Sequence, residues 1–209
     1  MTLPLLSPGA ADALLFDLGR VVLDIDFTRA FDCWAGHAGC EVEHLVGRFV
    51  CDELYRSHEK GEISDAKFFA GLRTSLGVEL SDAQFVEGWN AIFVGEMPGI
   101  KPTLARAAQR LPLYAFSNTN NPHVEYFSGR YAEVLGHFRE LFLSSSIGLR
   151  KPDAEAYDHV VKAIGIPAER IVFFDDLAEN ISGARDRGLI AVHVTSPEDL
   201  TSALAALGI

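Results

Sequence analysis

Five short, mainly apolar runs, none of which alternates with polar residues, constrain the fold of this chain more than any other feature of its sequence. They lie at Ala13–Phe16, Leu113–Phe116, Leu141–Leu143, Ile171–Phe174 and Leu189–Val194. A strand with one face in water alternates between apolar and polar residues, so unalternating runs predict strands covered on both faces. Strands of this kind form parallel sheets between two layers of helices.

Helical patterns separate the later runs. Apolar residues recur on one helix face over Tyr157–Ile164. Pro152 ahead of them and Gly165 beyond them are start and stop signals. A second helix is predicted over Ala178–Arg187, and a third is predicted to begin at Ser196, a favourable N-cap residue. This alternation of strands and helices predicts an α/β fold with a doubly wound parallel sheet.

A long insertion separates the first two strands. Residues 17–112 are far more than one crossover helix needs. Two segments of this interval, "SDAKFFAGLRTSLG" and "SDAQFVEGWNAIFV", place apolar residues on one helix face, and the second begins with a Ser-x-x-Gln capping box. Two further helices are expected around Arg29–Ala38 and Glu41–Leu54.

These helices predict a division of the chain into two parts. We expect residues 26–97 to form a wholly helical bundle, and residues 1–25 and 98–209 to form the core that contains the sheet. Four aromatic residues are interpreted as the apolar centre of the bundle: Trp34, Phe68, Phe85 and Trp89.

The composition excludes some classes of partner. With 209 residues, 48% of them hydrophobic, the chain can bury a sizeable core. A net charge of −11 repels phosphate backbones, so we expect no nucleic-acid partner. No apolar run approaches the ~20 residues needed to span a bilayer, so we expect no membrane partner. The absence of a basic n-region at the start and of C-x-x-C spacing fits a cytoplasmic protein. The sequence does not indicate the oligomeric state.

Polar residues follow the predicted strands at the edge where open parallel sheets bind ligands. Asp17 follows the first strand, Ser117 and Asn118 the second, Lys151 lies beyond the third, and Asp175 and Asp176 follow the fourth. A carboxylate nucleophile, a hydroxyl and an ammonium group for phosphate oxygens, and further carboxylates for a divalent cation suit phosphoryl transfer. The sequence therefore predicts a phosphoryl-transfer site at this edge.

Four short motifs occur in a fixed order: "FDLGRVV" with Asp17, "YAFSNT" with Ser117, "RKPD" with Lys151 and "FFDDLAEN" with the acidic pair. Together they resemble the haloacid dehalogenase superfamily of hydrolases, over nearly the whole chain. "FDLG", "LDIDF" and "HEKGEIS" are most similar to the bacterial α-D-glucose-1-phosphate phosphatase group, and the N-terminal phosphatase domain of soluble epoxide hydrolases is a more distant resemblance. The resemblance implies a Rossmann-like core, a mobile four-helix cap and dependence on Mg²⁺.

The resemblance also implies roles for the residues near the first and fourth strands. Asp17 would attack phosphorus and form an aspartyl-phosphate that water hydrolyses, and its carboxylate would also bind Mg²⁺. Gly19 would supply a backbone carbonyl to the metal and Asp176 would bind it directly. Asp175 would hold a metal-bound water or orient the other ligands.

The remaining residues are expected to hold the phosphate. Ser117, the backbone amide of Asn118 and Lys151 would donate to the phosphoryl oxygens, and Leu18 and Gly19 are expected to lie against the phosphate as well. The predicted function is a magnesium-dependent phosphatase of a small phosphorylated metabolite. A sugar phosphate such as glucose 1-phosphate is the expected substrate.

Two other functions remain open. A 2-haloacid dehalogenase shares the nucleophilic aspartate, but attack on carbon needs no magnesium. Without a cation, the adjacent Asp175 and Asp176 would repel an anionic substrate. A catalytically silent binding protein with the same fold is the third possibility, in which Asp17 is a turn residue and the acidic pair caps a helix. Asn180 is expected to support the site by hydrogen bonding.

Gly19 departs from the pattern of the superfamily. Most of its phosphatases have an aspartate there, which acts as a general acid and contributes about 10²–10⁴ in rate. Asp24, Asp26, a cap group or water are candidate replacements, and His58 and Lys60 are cap residues that could face the leaving group. Alternatively, the leaving group needs little protonation, as in sugar 1-phosphates, which we then expect to be preferred over 6-phosphates.

Overall fold

A parallel sheet lies at the centre of the computed structural model, which describes residues 6–209. The strands in chain order are β1 (Ala13–Phe16), β2 (Leu23–Ile25), β3 (Phe93–Glu96), β4 (Leu113–Ser117), β5 (Glu140–Leu143), β6 (Ile171–Asp175) and β7 (Ile190–His193). Five of them form the sheet in the order β5-β4-β1-β6-β7, with every pair parallel. The α/β, Rossmann-like fold class is confirmed, and each predicted strand is correct to within one residue at either end.

Helices cover both faces of the sheet and form most of the insertion. They are α1 (Thr28–Ala38), α2 (Val42–Val46), α3 (Glu53–Glu59), α4 (Asp65–Leu76), α5 (Asp82–Ala91), α6 (Ile100–Ala108), α7 (Asn121–Arg130), α8 (Ala132–Leu135), α9 (Ser144–Ile147), α10 (Ala154–Ile164), α11 (Ala178–Asp186) and α12 (Pro197–Ala206), with a 3₁₀ turn at Ala168–Arg170. Local signals set their ends. The predicted capping box of Ser81 and Gln84 begins α5, and α10 ends at Gly165, whose φ of 72° favours glycine.

The central strand explains why the apolar runs do not alternate. Successive side chains of a strand point to opposite faces of the sheet. Leu14 and Phe16 pack into an apolar cluster on one face, whereas Ala13 and Leu15 pack into a separate cluster on the other. Both faces of β1 are therefore dry, and every position of the strand requires an apolar side chain.

The insertion has an apolar core of its own, which contains the four predicted aromatic residues. The prediction that residues 26–97 are wholly helical is wrong, however. After α5 the chain forms β3, which pairs antiparallel with β2. Phe93 and Val94 suit a strand as well as a helix, and here the main-chain groups of β2 provide the hydrogen bonds. The two strands connect the insertion to the sheet.

The prediction of one helix over Glu41–Leu54 is also wrong. The chain forms two short helices, α2 and α3, with an irregular segment between them. Gly47 follows the last residue of α2, and glycine is a poor helix former. The side chain of Asp52 accepts a hydrogen bond from the Tyr55 N–H and begins α3.

Within residues 6–209, every helix is too short or too polar to cross a bilayer.

Candidate active site

The carboxyl ends of three neighbouring strands bring the predicted site residues together. Asp17 directly follows β1, and its N–H donates to the carbonyl oxygen of Phe174 in β6 at 2.8 Å. Ser117 is the last residue of β4 and Asp175 is the last residue of β6. Because β1 lies between β4 and β6, these side chains meet at one edge of the sheet. The convergence expected from the sequence is therefore present.

Lys151 connects the strands at this edge. Its ammonium group donates to Asp17 Oδ1 at 2.6 Å, to Asp175 Oδ2 at 2.6 Å and to the carbonyl oxygen of Phe116 at 2.8 Å. The side chain is 1% exposed, so a lysine is buried here together with two carboxylates. Each of its three N–H groups has a protein acceptor, which fixes the position of Asp17.

Asp175 is fully buried and fully hydrogen-bonded. Its Oδ1 accepts from the Leu177 N–H at 2.8 Å and from Asn180 Nδ2 at 2.9 Å, while its Oδ2 accepts from Lys151. Asn180 thus supports the site, as its position in the sequence indicated. With both oxygens engaged, the carboxylate of Asp175 orients its neighbours, whereas Asp176 lies partly exposed beside it.

Burial shifts the pKa values of the charged groups in this cluster. It raises the pKa of Asp17 to about 7; Lys151 opposes the shift, and Asp175 and Asp176 add to it by repulsion. Burial and Asp175 likewise raise the pKa of Asp176. Burial also opposes the charge on Lys151, but the two carboxylates hold its pKa above the ordinary value. The edge of the sheet therefore concentrates negative charge around one cation.

Ser117 and Asn118 lie across the cluster from the acidic pair. The Ser117 hydroxyl makes only a long contact, 3.5 Å, with the carbonyl oxygen of Asn118, so it can donate to a ligand. The side chain of Asn118 makes two hydrogen bonds to the backbone of Lys151. Asn118 Nδ2 donates to the Lys151 carbonyl oxygen, and the Lys151 N–H donates to Asn118 Oδ1, each at 2.9 Å. The side chain of Asn118 therefore holds the backbone at Lys151 in place. The sequence did not predict this role for the side chain.

The donors at this edge suit a hard divalent cation. Asp17, Gly19 and Asp176 line the cavity, where the two carboxylates and a backbone carbonyl could serve as the oxygen ligands that Mg²⁺ prefers. Oδ1 of Asn180 is buried beside them without a hydrogen-bond donor from the described residues. A metal-bound water would satisfy such an acceptor. The residues therefore fit magnesium.

A cavity of about 590 Å³ lies between this edge and the insertion. Asp17, Leu18, Gly19, Ser117, Asn118, Lys151 and Asp176 all line it. Of the cap residues proposed to face a leaving group, His58 is buried against Phe68 and bonded to Asp65 instead, and Lys60 pairs with Glu62. Neither belongs to the cavity lining.

The two aspartates considered as replacements for a general acid at Gly19 also lie outside the cavity lining. Neither Asp24 nor Asp26 lines the cavity, and Asp26 Oδ1 accepts from the N–H and the hydroxyl of Thr28 at the start of α1. A Cβ atom at Gly19 would lie 2.8 Å from Cδ1 of Ile25. A side chain there would have to displace the terminal methyl group of that isoleucine.

His123 joins the core to the insertion. Its Nε2 lies 3.0 Å from the carbonyl oxygen of Trp89 in α5, and its Nδ1 lies 3.1 Å from Nδ2 of Asn120. Because a carbonyl oxygen only accepts, Nε2 carries the proton and Nδ1 accepts from the amide. Burial lowers the pKa of His123 to about 3. No sequence pattern singled out this residue, because its partner lies in a distant helix.

We expect His123→Gln to weaken the acid sensitivity of folding. The unfolded chain binds a proton at this imidazole below its ordinary pKa and the folded chain does not, so wild-type stability falls as the pH drops from about 6.5 towards 3, by up to ~1.4 kcal/mol per pH unit. The variant is less stable at pH 7 because packing is lost, and its deficit should shrink on acidification. Urea unfolding between pH 7 and pH 4.5 measures this difference.

His159→Gln, on the exposed side of α10, is the control and should keep the wild-type pH dependence. A His123→Gln deficit that stays constant between pH 7 and pH 4.5 would contradict the neutral, buried imidazole.

The fold and this edge define a class of protein: an α/β core with a parallel sheet, and an insertion that faces a strand-end aspartate across a cavity. The model of the haloacid dehalogenase-like hydrolases matches residues 11–188. The chain therefore belongs to the haloacid dehalogenase-like hydrolase family.

Three curated relatives show the range of proteins that this chain is similar to. A sesquiterpene phosphatase from Aspergillus oryzae is 27% identical over 188 residues, which cover 88% of this chain and 89% of the relative. A D-ribitol-5-phosphate phosphatase from Bacteroides thetaiotaomicron is 22% identical over 84% of this chain and 87% of its own length. A drimenol cyclase from Aspergillus calidoustus is 27% identical over 86% of this chain, which spans only 33% of that longer protein.

A solved structure agrees with the fold. A haloacid dehalogenase family enzyme from Bacteroides thetaiotaomicron, in complex with magnesium and inorganic phosphate, has a TM-score of 0.77 and 26% identity, covering 88% of this chain and 93% of that one. The distant resemblance to epoxide hydrolases is supported by a rat bifunctional epoxide hydrolase, 33% identical over 75 residues. The resemblance to glucose-1-phosphate phosphatases stays a prediction.

Proposed function

We propose that this chain is a magnesium-dependent phosphatase of a small phosphorylated metabolite, with Asp17 as the nucleophile. One observation carries the proposal: the buried Asp17–Lys151–Asp175 cluster stands at the carboxyl edge of the sheet, beside Asp176 and next to a cavity. A structural ion pair has no need of further carboxylates or of a cavity, whereas phosphoryl transfer needs both.

The contacts of Lys151 support different roles for the two carboxylate oxygens of Asp17. Lys151 holds Oδ1, which leaves Oδ2 as the oxygen for in-line attack on phosphorus. Attack forms a bond from Oδ2 to phosphorus and breaks the bond from phosphorus to the leaving oxygen, which takes a proton from water in the cavity. Water then attacks the aspartyl-phosphate, releases inorganic phosphate and regenerates the carboxylate. Lys151 keeps Asp17 oriented and neutralises part of its charge in both steps.

The Ser117 hydroxyl and the Asn118 N–H are the proposed donors to the phosphoryl oxygens, and Leu18 and Gly19 border the same space. Lys151 can donate to phosphate only by giving up one of its present acceptors. Magnesium, held by Asp17, Asp176 and the Gly19 carbonyl, would supply positive charge to the phosphoryl oxygens when bound. Asp175 would act through Lys151 and Asn180.

We also propose that residues 26–97 are a cap that can move relative to residues 1–25 and 98–209. Its separate apolar core supports this division. The cap meets the catalytic core through the aromatic packing of Phe93 on Phe127 and through polar contacts, such as the hydrogen bond between His123 and Trp89. Polar contacts of this kind can break and reform at small cost when both partners reach water.

The identity of the leaving group is a separate question. The resemblance to glucose-1-phosphate phosphatases favours a sugar phosphate, and Gly19 favours an ester that needs little protonation. The sesquiterpene phosphatase and the D-ribitol-5-phosphate phosphatase are named for unlike compounds, so their names do not select one. Glucose 1-phosphate therefore belongs in any first panel of substrates.

We expect phosphate release to require magnesium. With Mg²⁺ present, phosphate monoesters should be hydrolysed, and excess chelator should lower the rate by at least about 10²-fold, since the charge on the transferring group is then uncompensated. Added Mg²⁺ should restore it. Phosphate release from the panel and halide release from 2-haloacids are measured side by side.

Each alternative has its own signature in this assay. Halide release that persists with chelator would identify a dehalogenase instead. Absence of both products from a folded protein would identify a catalytically silent one.

A further inference from the structure

The wall of the cavity that faces the carboxylates is apolar and largely aromatic. Six half-buried residues of the cap and its connecting strands form it: Ile25, Phe27, Phe31, Phe49, Tyr55 and Phe93. We propose that the phosphorylated substrate has an apolar, hydrocarbon-like leaving group that lies against this wall. The inference rests on the proposed phosphatase function and names its substrate class.

The aromatic residues form a continuous, supported surface. The ring of Phe49 lies 5.4 Å from that of Phe31 and 6.0 Å from that of Tyr55, both edge to face. Behind them Trp34 and Trp89 stack at 5.5 Å with an angle of 12° between their planes. Edge-to-face and offset-stacked rings pack firmly, so the wall keeps its shape while its free surface faces the cavity.

Three polar side chains that line the cavity, Arg150, Glu59 and His123, already have partners. Both Nε and Nη2 of Arg150 bond Glu59 Oε2 at 2.9 Å. The two ring nitrogens of His123 are engaged by Trp89 and Asn120. A sugar in this space would exchange water for few hydrogen-bond partners, and buried hydroxyls without partners weaken binding.

A hydrocarbon group, unlike a sugar, loses no hydrogen bonds when it enters this space. Half-buried aromatic side chains remove apolar surface of the ligand from water without requiring hydrogen bonds. The cavity is large enough for a leaving group well beyond the phosphate, since small-molecule sites occupy about 300–1,000 Å³. The polar edge of the sheet would then bind the phosphate, and the wall would select the rest of the molecule.

The test compares esters that differ in apolar surface and not in the leaving oxygen. Ethyl, butyl, hexyl and octyl phosphate are all esters of primary alcohols, as is glucose 6-phosphate. We expect kcat/KM to rise along the series by up to about fourfold per methylene. Octyl phosphate, kept below its micellar concentration, should exceed glucose 6-phosphate by at least about tenfold.

Two results overturn different claims. Turnover of 4-nitrophenyl phosphate combined with a flat alkyl series, or with glucose 6-phosphate above octyl phosphate, overturns the apolar subsite and leaves the phosphatase intact. If no ester releases phosphate, the proposed function itself fails.

Variants of the wall provide the second measurement. Phe31→Asn should lower the octyl-to-ethyl ratio of kcat/KM by about tenfold, and Phe31→Leu should restore most of it. Val46→Ala, at an exposed position of α2 outside the cavity, is the control and should leave the ratio unchanged. Inhibition by octylphosphonate should weaken in parallel in Phe31→Asn. A ratio and an inhibition constant that both stay at wild-type values in a folded Phe31→Asn protein would overturn the proposal.

Discussion

Asp17→Asn is expected to abolish turnover and to keep the fold. The amide preserves the volume of the side chain, and its oxygen can still accept from Lys151, but it cannot attack phosphorus. Removal of a nucleophile of this kind lowers kcat by at least about 10³-fold. Phosphate release from the best substrate of the panel is the measurement.

The stability of the same variant is informative. Burial raises the pKa of Asp17 to about 7, which shows that the folded protein holds this carboxylate at a cost. The neutral amide escapes that cost and the repulsion from Asp175 and Asp176. Thermal unfolding of Asp17→Asn should therefore occur at a temperature equal to or above that of the wild type.

Asp24→Asn is the control, since Asp24 is a half-buried aspartate of β2 that lies outside the cavity lining. It should keep wild-type turnover. Activity of more than a few per cent in folded Asp17→Asn protein, or an equal loss in Asp24→Asn, would remove the nucleophile assignment.

The sheet could be predicted from the sequence because its signals are local. Five unalternating runs, each preceded by glycine, proline or a charged residue, allow few other structures, and the central strand needs apolar residues on both faces. The strand-end residues follow from the same reasoning, since parallel strands present their carboxyl ends at one edge. Asp17, Ser117 and Asp175 are therefore close together as soon as the strand order is given.

Tertiary contacts determine the features that the sequence pattern did not predict. Phe93 continues the helical pattern of α5 and nevertheless belongs to β3, because β2 offers main-chain partners that a local pattern does not reveal. His58 was a candidate for the leaving-group side, but its ring stacks on Phe68 at 4.0 Å inside the cap.

The apolar wall of the cavity could not be predicted from the sequence either. Aromatic residues at helical spacing predict a cap core, and Trp34 and Phe85 are in that core. Phe31 lies in the same helix as Trp34 and lines the cavity, as does Phe49 in the irregular segment between α2 and α3. Which side of a helix faces a ligand depends on how the helices pack against the sheet, and this information is not contained in the period of the pattern.

Lys151→Met is expected to have the largest effect on folding. Lys151 is the only cation in direct contact with Asp17 and Asp175 among the described residues. Its removal leaves two carboxylates and the Phe116 carbonyl buried without this donor. Loss of one partner from a buried ion pair costs about 3–5 kcal/mol, so the unfolding free energy should fall by this amount and turnover should disappear. Lys101→Met is the control; it removes an exposed lysine that pairs with Glu96 and Glu133, and such pairs contribute about 0–1 kcal/mol.

A double-mutant cycle separates loss of the ion pairs from loss of packing. If the cost in Lys151→Met comes from unpaired buried charge, then Asp175→Asn in the same chain removes one of the two charges and should recover about 1–3 kcal/mol. If the cost comes from lost side-chain volume, the second substitution adds its own destabilisation and nothing is recovered. Denaturant unfolding of the wild type, both single variants and the double variant decides between the two. Recovery would establish that Lys151 is the charge that allows two aspartates to share the buried edge of the sheet, and thereby keeps Asp17 in place for attack.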